Sequence, residues 1–360
     1  MTDWFLAWRC GTPWSTVAPV MSPVHVIARL ARIFAAYRRR TETVSPMPVR
    51  LWIESALCCN LRCTMCPNKD LPASDKTVMS WDLYRRIIDQ AHTFANDIYL
   101  HHRGEPLTNP RLFDMIRYAR EAGLKTRFHT NGALLTAERA DQLLDASPNL
   151  VSFSVDGFDK ESYESVRVGA TFETTVDQIR HLAVRRRERG LKKPYLVVEK
   201  IRFQNPARPG DPAAVQALRQ QFLSAGIDEV IEKDEYVWAG ETPGVTLPPR
   251  TSSCCTFPWY AMVICADGTV TPCPQDFKAR LVMGNAAQQS LRDIWNGPAY
   301  RALRHGFRTN VESLPICRDC DRLRRKTVGG IPLQYMATFL VDQLVGYGPL
   351  RRRLGTAERS

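Results

Sequence analysis

Between residues 50 and 238 the chain switches repeatedly between two periodicities, in a fixed order. Strand-like runs rich in β-branched, aromatic and leucine residues occupy 50–57, 97–102, 125–130, 150–156, 195–203 and 228–238. Stretches of helical period lie between them, at 80–94, 110–123, 136–146, 174–190 and 211–226. Ser80 is a natural N-cap for the first of these. Pro110 opens the second and Gly123 closes it. Such alternation predicts an α/β fold, a parallel sheet with helices outside it. Six repeats over about 190 residues make a partial (β/α)6 barrel of the TIM type, and chemistry then sits at the C-terminal ends of the strands.

Those strand ends carry the unusual residues. The stretch CCNLRCTMC at 58–66 holds four of the eleven cysteines of the chain and follows the first strand. The other cysteines cluster at 254–273 and 317–320, with Cys10 isolated. The opening MTDWFLAWRCGTPW lacks a basic region followed by an apolar core and a cleavage site, so no secretory signal is expected. Clustered cysteines in such a chain point to metal ligation rather than a disulfide framework. Cys59, Cys63 and Cys66 have the spacing CxxxCxxC. Structural zinc sites are usually built from two CxxC pairs. Three thiolates on one loop instead suit three irons of a [4Fe–4S] cube, leaving one iron open.

Further motifs follow in order. RGEP occupies 103–106 after the second strand, TNG occupies 130–132 after the third, and SVDG at 154–157 ends the fourth. With CNLRCTMC these resemble the radical S-adenosylmethionine (SAM) superfamily over roughly residues 50–240. The resemblance implies that Cys59, Cys63 and Cys66 ligate a [4Fe–4S] cluster whose fourth iron is chelated by SAM. It implies that Gly104, Glu105 and Pro106 hold the methionine amino group. Asn131, Ser154 and Asp156 would lie near the ribose and methionine, Arg167 would pair with the SAM carboxylate, and Met65 would lie against the adenine. An arginine fork suits a carboxylate. Arg103 stands where many members have a first glycine. Cys58 reads as a packed bystander, and His101 and His102 read as strand-end residues more readily than as direct participants.

Beyond about residue 241 the alternation stops, and a Pro/Gly/Ser/Thr-rich linker leads into a cysteine-bearing, turn-rich segment. A hairpin is expected there: AMVIC at 261–265, the turn ADG, then TVTP. It would bring Cys255 and Cys273 together, with Cys317 and Cys320 completing four ligands. Spacing alone leaves zinc and iron–sulfur open. Residues 255–320 resemble the auxiliary-cluster domain of SPASM and twitch radical SAM enzymes. That implies a second, four-cysteine [4Fe–4S] cluster acting as an electron carrier, with Cys255 rather than Cys254 as ligand and Cys265 in the core. The expected domains are an N-terminal extension (1–48), the radical SAM core (49–240), the auxiliary domain (241–328) and a tail (329–360).

The resemblance implies a radical SAM oxidoreductase: a 5′-deoxyadenosyl radical takes hydrogen from substrate, and the auxiliary cluster accepts an electron as a base removes a proton. A flavodoxin- or ferredoxin-type donor would supply the reducing electron. Glu199, Lys200, Lys233 and Asp234 on the last two strands are the candidates for the base and for substrate contacts. Strand alternation lets only some of them face inward. The most natural substrate is a sugar, aminocyclitol or other small alcohol. A ribosomally made peptide is the alternative, and the short N-terminal extension argues against it.

The net charge of +12 is concentrated at the ends. Residues 1–50 and 321–360 each contribute +5, leaving +2 for the middle, so no nucleic-acid groove through the core is expected. Residues 24–40 and 331–353 read as basic amphipathic segments. They either pack on the barrel or dock on an anionic membrane, where the substrate would be a lipid or glycan. No apolar run is long enough to span a bilayer, and a cytoplasmic location, with possible peripheral membrane contact, is expected. A non-enzymatic metal-binding scaffold is the remaining alternative.

Overall fold

The computed structural model describes residues 23–204, 211–235, 237–238, 246–247, 249–251, 254–325, 327–328 and 331–332. Most of the expected tail and of the 241–253 linker lies outside these residues, as does Cys10.

Helix α1 (Pro23–Arg39) leads into strand β1 (Arg50–Ile53). Five further parallel strands follow: β2 (Asp97–Tyr99), β3 (Lys125–Thr130), β4 (Leu150–Ser154), β5 (Tyr195–Arg202) and β6 (Glu229–Asp234). Helices α2 (Trp81–Ala91), α3 (Leu112–Glu121), α4 (Ala137–Ala146), α5 (Lys160–Val166), α6 (Phe172–Glu188) and α7 (Pro212–Ala225) connect them. Ser80 caps α2, accepting from the Leu83 N–H. Helix α5 was not anticipated. It is seven residues long, too short for helical periodicity to register, and is capped by Asp159.

The sheet does not close into a barrel. Instead the segment after residue 254 extends it. Helix α8 (Phe257–Tyr260) delivers strand β7 (Ala261–Ile264), which pairs in parallel with the free edge of β1. Strands β8 (Thr269–Thr271) and β9 (Gly284–Asn285) continue antiparallel, giving nine strands in the order β6-β5-β4-β3-β2-β1-β7-β8-β9. The β7–β8 hairpin is the expected one, with Gly268 at φ +90° in its turn. Helices α9 (Leu291–Trp295) and α10 (Pro298–Thr309) complete the segment. The expected boundary near residue 240 is thus crossed by a continuous sheet.

Alternation along the strands separates two environments. Leu51, Ile53, Ile98, Phe128, Val151, Phe153, Leu196 and Val198 are buried in one large apolar core with residues of α2, α3, α4 and α6. The opposite face carries Arg50, Trp52, Tyr99, Arg127, His129, Ser152 and Glu199, and a small apolar cluster of Leu150, Tyr195, Val197 and Ile231. Its floor is polar but paired. Asp97 accepts two hydrogen bonds from Arg50 at 2.6 Å each and lies 3.5 Å from Arg127. Trp52 stacks on Tyr99 at 4.8 Å.

The described part of the N-terminal extension, residues 23–48, packs on the sheet and its C-terminal segment. Leu30 and Ile33 of α1 pack with Val49, Phe257, Tyr260 and Ala261, and Tyr37 meets Trp259 edge-on. Residues 44–48 are clamped. Asn296 bonds both backbone groups of Val44, and the Trp295 indole donates to the Pro46 carbonyl. Yet α1 is apolar on a second side as well. Val24, Ile27 and Phe34 are 73%, 52% and 44% exposed. Replacing buried Ile33 by alanine should cost roughly 2–4 kcal/mol. Ile27→Ala should stay within about 0.5 kcal/mol. Denaturant midpoints of the two variants check the contrast.

Candidate active site

The cysteine loop after β1 is shaped by backbone contacts. Leu57 and Cys58 donate to the Thr77 carbonyl, Arg62 to Val168 and Thr64 to Val166. Cys59, Cys63 and Cys66 lie close enough to influence one another electrostatically. Burial pushes all three thiols up, Cys59 to about 12. Three soft donors on one loop, Cys63 buried and Cys59 and Cys66 partly so, are a chemical match for iron. Cys58 supplies its carbonyl, which accepts the Glu105 N–H at 2.8 Å. Met65 is half-buried on the same loop.

The RGEP stretch packs directly against this loop. A Cβ on Gly104 would stand 2.4 Å from the Ala56 carbonyl oxygen and 2.5 Å from that of Cys58, so only glycine fits. Glu105 is buried and turns toward β3. It accepts from the Leu107 N–H, from the Thr130 hydroxyl at 2.7 Å and from the Asn131 N–H at 2.8 Å. Burial pushes its carboxyl up, and these donors oppose the shift. Glu105 therefore fixes the end of β3, while buried Pro106 starts the following turn. The Asn131 amide reaches Asn60 at 2.9 Å and stands 4.0 Å from the Cys59 sulfur.

Arg103, the departure from the usual glycine, has a structural explanation. Its guanidinium makes two 2.7 Å bonds to Glu54, which is fully buried at the end of β1. Arg103 also donates to the Phe277 carbonyl, and Glu54 accepts the Ala266 N–H at 2.9 Å. Burial opposes the charge of Arg103, but Glu54 outweighs it and holds the pKa above the usual value. Neither Glu54 nor this pairing is visible in the sequence, because its partners come from 49 to 212 residues away.

At the end of β4, Ser154 is partly buried and Asp156 almost wholly so. Asp156 accepts the Ile201 N–H at 3.1 Å and pairs with Arg167. Arg167 also lies 3.6 Å from the Cys63 sulfur. Its Nε is buried without a partner, a donor left over for an anionic group beside the cysteine loop. Gly157 is packed so tightly on α5 that a Cβ would stand 2.2 Å from the Tyr163 nitrogen.

The four candidates on β5 and β6 separate by face. Glu199 and Lys233 point into the sheet's concave side and pair at 2.6 Å. Burial alone would raise the Glu199 carboxyl, but His129 and Lys233 hold it down at about 2. Lys200 and Asp234 have the opposite parity. Lys200 pairs with Glu232 at 3.3 Å, and Asp234 pairs with Arg202 at 2.8 Å. The structure therefore places these two on the face opposite Glu199 and Lys233. His129, which the sequence reading passed over, belongs to it. Its Nδ1 stands 3.6 Å from Glu199, and its ring stacks on His101 at 4.2 Å. Burial lowers both histidines, His129 to about 4, and His102 likewise to about 4. An inward parity count along KTRFHT would have singled out His129.

The second thiol group gathers at the other end. Cys255, Cys273, Cys317 and Cys320 are mutually close enough for electrostatic influence. Cys255 and Cys273 both pack on the Leu30, Ile33 and Phe257 cluster. Cys254 is buried toward Tyr37 and Arg40 and senses only Cys255 among the thiols. Cys265 is buried near Glu54 and Arg103.

The Radical SAM superfamily model matches residues 53–192, and the SPASM iron–sulfur cluster-binding domain matches 254–321. The chain belongs to the radical SAM superfamily and carries a C-terminal SPASM domain. It is a radical SAM enzyme whose two domains imply a SAM-binding and an auxiliary [4Fe–4S] cluster. It is 28% identical over 317 residues to the tungsten-containing aldehyde ferredoxin oxidoreductase cofactor-modifying protein of Pyrococcus furiosus, covering 75% of this chain and 86% of that one. It is 23% identical over 282 residues to the S-adenosyl-L-methionine-dependent 2-deoxy-scyllo-inosamine dehydrogenase of Niallia circulans, covering 75% and 91%. The fold is shared with Streptococcus suis SuiB bound to precursor peptide SuiA (TM-score 0.60, 15% identity, 89% and 79% covered).

Arg103→Ala would leave Glu54 buried and uncompensated, so stability should fall by about 3–5 kcal/mol. Chemical denaturation of the anaerobic protein measures it.

Proposed function

We propose that this protein is a radical SAM oxidoreductase that dehydrogenates a small hydroxylated molecule held on the concave face of the sheet. The observation that carries this reading is a polar, charge-paired cluster of His129, Glu199, Lys233 and Ser152 on the sheet face away from the main apolar core, on strands of the same sheet whose first strand leads into the three-cysteine loop. Cys59, Cys63 and Cys66 would hold the SAM-binding cluster. Cys255, Cys273, Cys317 and Cys320 would hold the auxiliary one. When bound, SAM and the two clusters supply a 5′-deoxyadenosyl radical able to take hydrogen from an unactivated carbon, and an electron acceptor. Arg167 would orient the SAM carboxylate through its spare Nε. Gly104 and Pro106 let the backbone approach the methionine end. Asn131, Ser154 and Asp156 line the strand ends there, with Glu105 setting the position of Asn131. Met65 would cover the adenine. A low-potential flavodoxin- or ferredoxin-type protein would supply the reducing electron.

The hydroxyl substrate is favoured over a peptide by the pocket's chemistry. Neutral imidazoles and a carboxylate–ammonium pair are hydrogen-bonding partners for alcohols. The likeness to the inosamine dehydrogenase points the same way. A second reading concerns location. The exposed side chains Val24, Ile27 and Phe34 share α1 with exposed Arg32, Arg38 and Arg39. An apolar strip flanked by arginines suits an anionic membrane surface. Among the described residues, no helix is long and apolar enough to cross a membrane.

Anaerobic reconstitution should load about eight irons, four per cluster. Dithionite and SAM should then yield 5′-deoxyadenosine. Cys63→Ser should abolish that product, and Cys58→Ser should retain it. Four irons with one zinc would defeat the auxiliary-cluster assignment. In a separate experiment, the full chain should co-sediment at low salt with vesicles of equal phosphatidylglycerol and phosphatidylcholine, and an Ile27→Glu/Phe34→Glu variant should not. Equal behaviour of the two proteins would remove the membrane reading.

A further inference from the structure

We propose that His129 is the base that takes the substrate's hydroxyl proton, with Glu199 as its positioning residue. This rests on the alcohol reading above and assigns the acceptor atom.

Hydrogen bonding sets the tautomers of the stacked pair. The backbone N–H of His129 donates to His101 Nδ1 at 3.2 Å. That nitrogen must carry a lone pair, so the His101 proton is on Nε2. His129 presents its own Nδ1 to the Glu199 carboxylate at 3.6 Å. That separation is longer than a hydrogen bond, and the charge of the carboxylate favours the tautomer with the proton on the facing Nδ1 and the lone pair on Nε2. Glu199 is pinned in turn by Lys233 at 2.6 Å. Base, orienting carboxylate and anchoring cation thus form one chain of contacts, the arrangement by which an imidazole becomes a directed proton acceptor.

Position and environment agree. His129 lies near the C-terminal end of β3, two residues before Asn131, whose amide stands 4.0 Å from the Cys59 sulfur. The His129 side chain is 24% exposed, so it is reachable from the concave side. His101, likewise partly buried, has its Nδ1 engaged by the His129 backbone and serves as the stacking support. Burial keeps His129 neutral near pH 7, with Glu199 opposing that effect and Lys233 adding to it. In the transfer the substrate O–H bond breaks, its electron pair stays on oxygen, and the proton goes to Nε2. The resulting imidazolium faces the Glu199 carboxylate. Glu199 itself makes a poor acceptor, because Lys233 already occupies the oxygen it presents.

Two measurements on the reconstituted full-length protein test the assignment. Diethyl pyrocarbonate attacks unprotonated imidazole nitrogens, and peptide mass mapping should find His129 labelled alongside exposed His25 and His305. Absence of label at His129 while those two react would overturn the proposal. The second probe is carbon-deuterated 2-deoxy-scyllo-inosamine. Wild type should place deuterium in 5′-deoxyadenosine and form ketone in step. His129→Gln should keep the deuterium transfer and lose ketone about 10²–10⁴-fold. Equal loss of both, or unchanged ketone formation, would assign His129 a structural role only. If wild type transfers no deuterium from this probe, the aminocyclitol reading fails, and the labelling result decides His129 by itself.

Discussion

The buried carboxylate of Glu54 is the point on which the two halves of the molecule meet. It stands at the end of β1, where the cysteine loop begins, and accepts from Arg103 and from the Ala266 N–H. Arg103 immediately precedes Gly104 and also holds the Phe277 carbonyl. One charge therefore ties the first cysteine loop, the RGEP turn and the hairpin of the second thiol segment. A lone buried carboxylate would be prohibitively costly. With a bidentate arginine and a backbone donor it becomes a specific joint between segments far apart in sequence.

That joint explains why the sheet runs on. An open six-stranded sheet leaves β1 with unpaired backbone groups on one edge, which must be met somehow. Strand β7 meets them in register, Arg50 opposite Ala261 through Ile53 opposite Ile264. The three-thiol loop leaves the top of β1, and the four-thiol segment is anchored around β7 and β8. Adjacent strands thus carry the three-thiol loop and the four-thiol segment on one sheet. Helix α1 and residues 41–49 brace the same region through Leu30, Ile33, Trp259 and Trp295. An extension that looked peripheral in composition is half structural.

The concave face shows the opposite economy of contacts. Near its floor Arg50, Asp97, Arg127 and Tyr99 satisfy one another. Nearer the mouth, His129, Glu199 and Lys233 are paired among themselves yet remain partly open. The first group is enclosed, and the second keeps access to solvent. Access rather than residue type distinguishes them.

Much was legible from the chain alone. The six strands follow from apolar runs separated by helical stretches. The two cysteine groupings and the RGEP, TNG and SVDG turns are local features of the sequence, and the roles expected of them come from the family resemblance. Distances across the fold were not legible. Glu199 and Lys233 face inward while Lys200 and Asp234 face outward, and that depends on register, where a one-residue slip reverses every side chain. The partner of Arg103, the docking of β7 on β1 and the placing of His129 beside Glu199 arise between segments tens to hundreds of residues apart. Local sequence therefore determined the kind of chemistry and its cofactors. Tertiary packing decided which polar side chains share a pocket, because only the folded sheet fixes which face each strand presents and which charges are left to compensate one another.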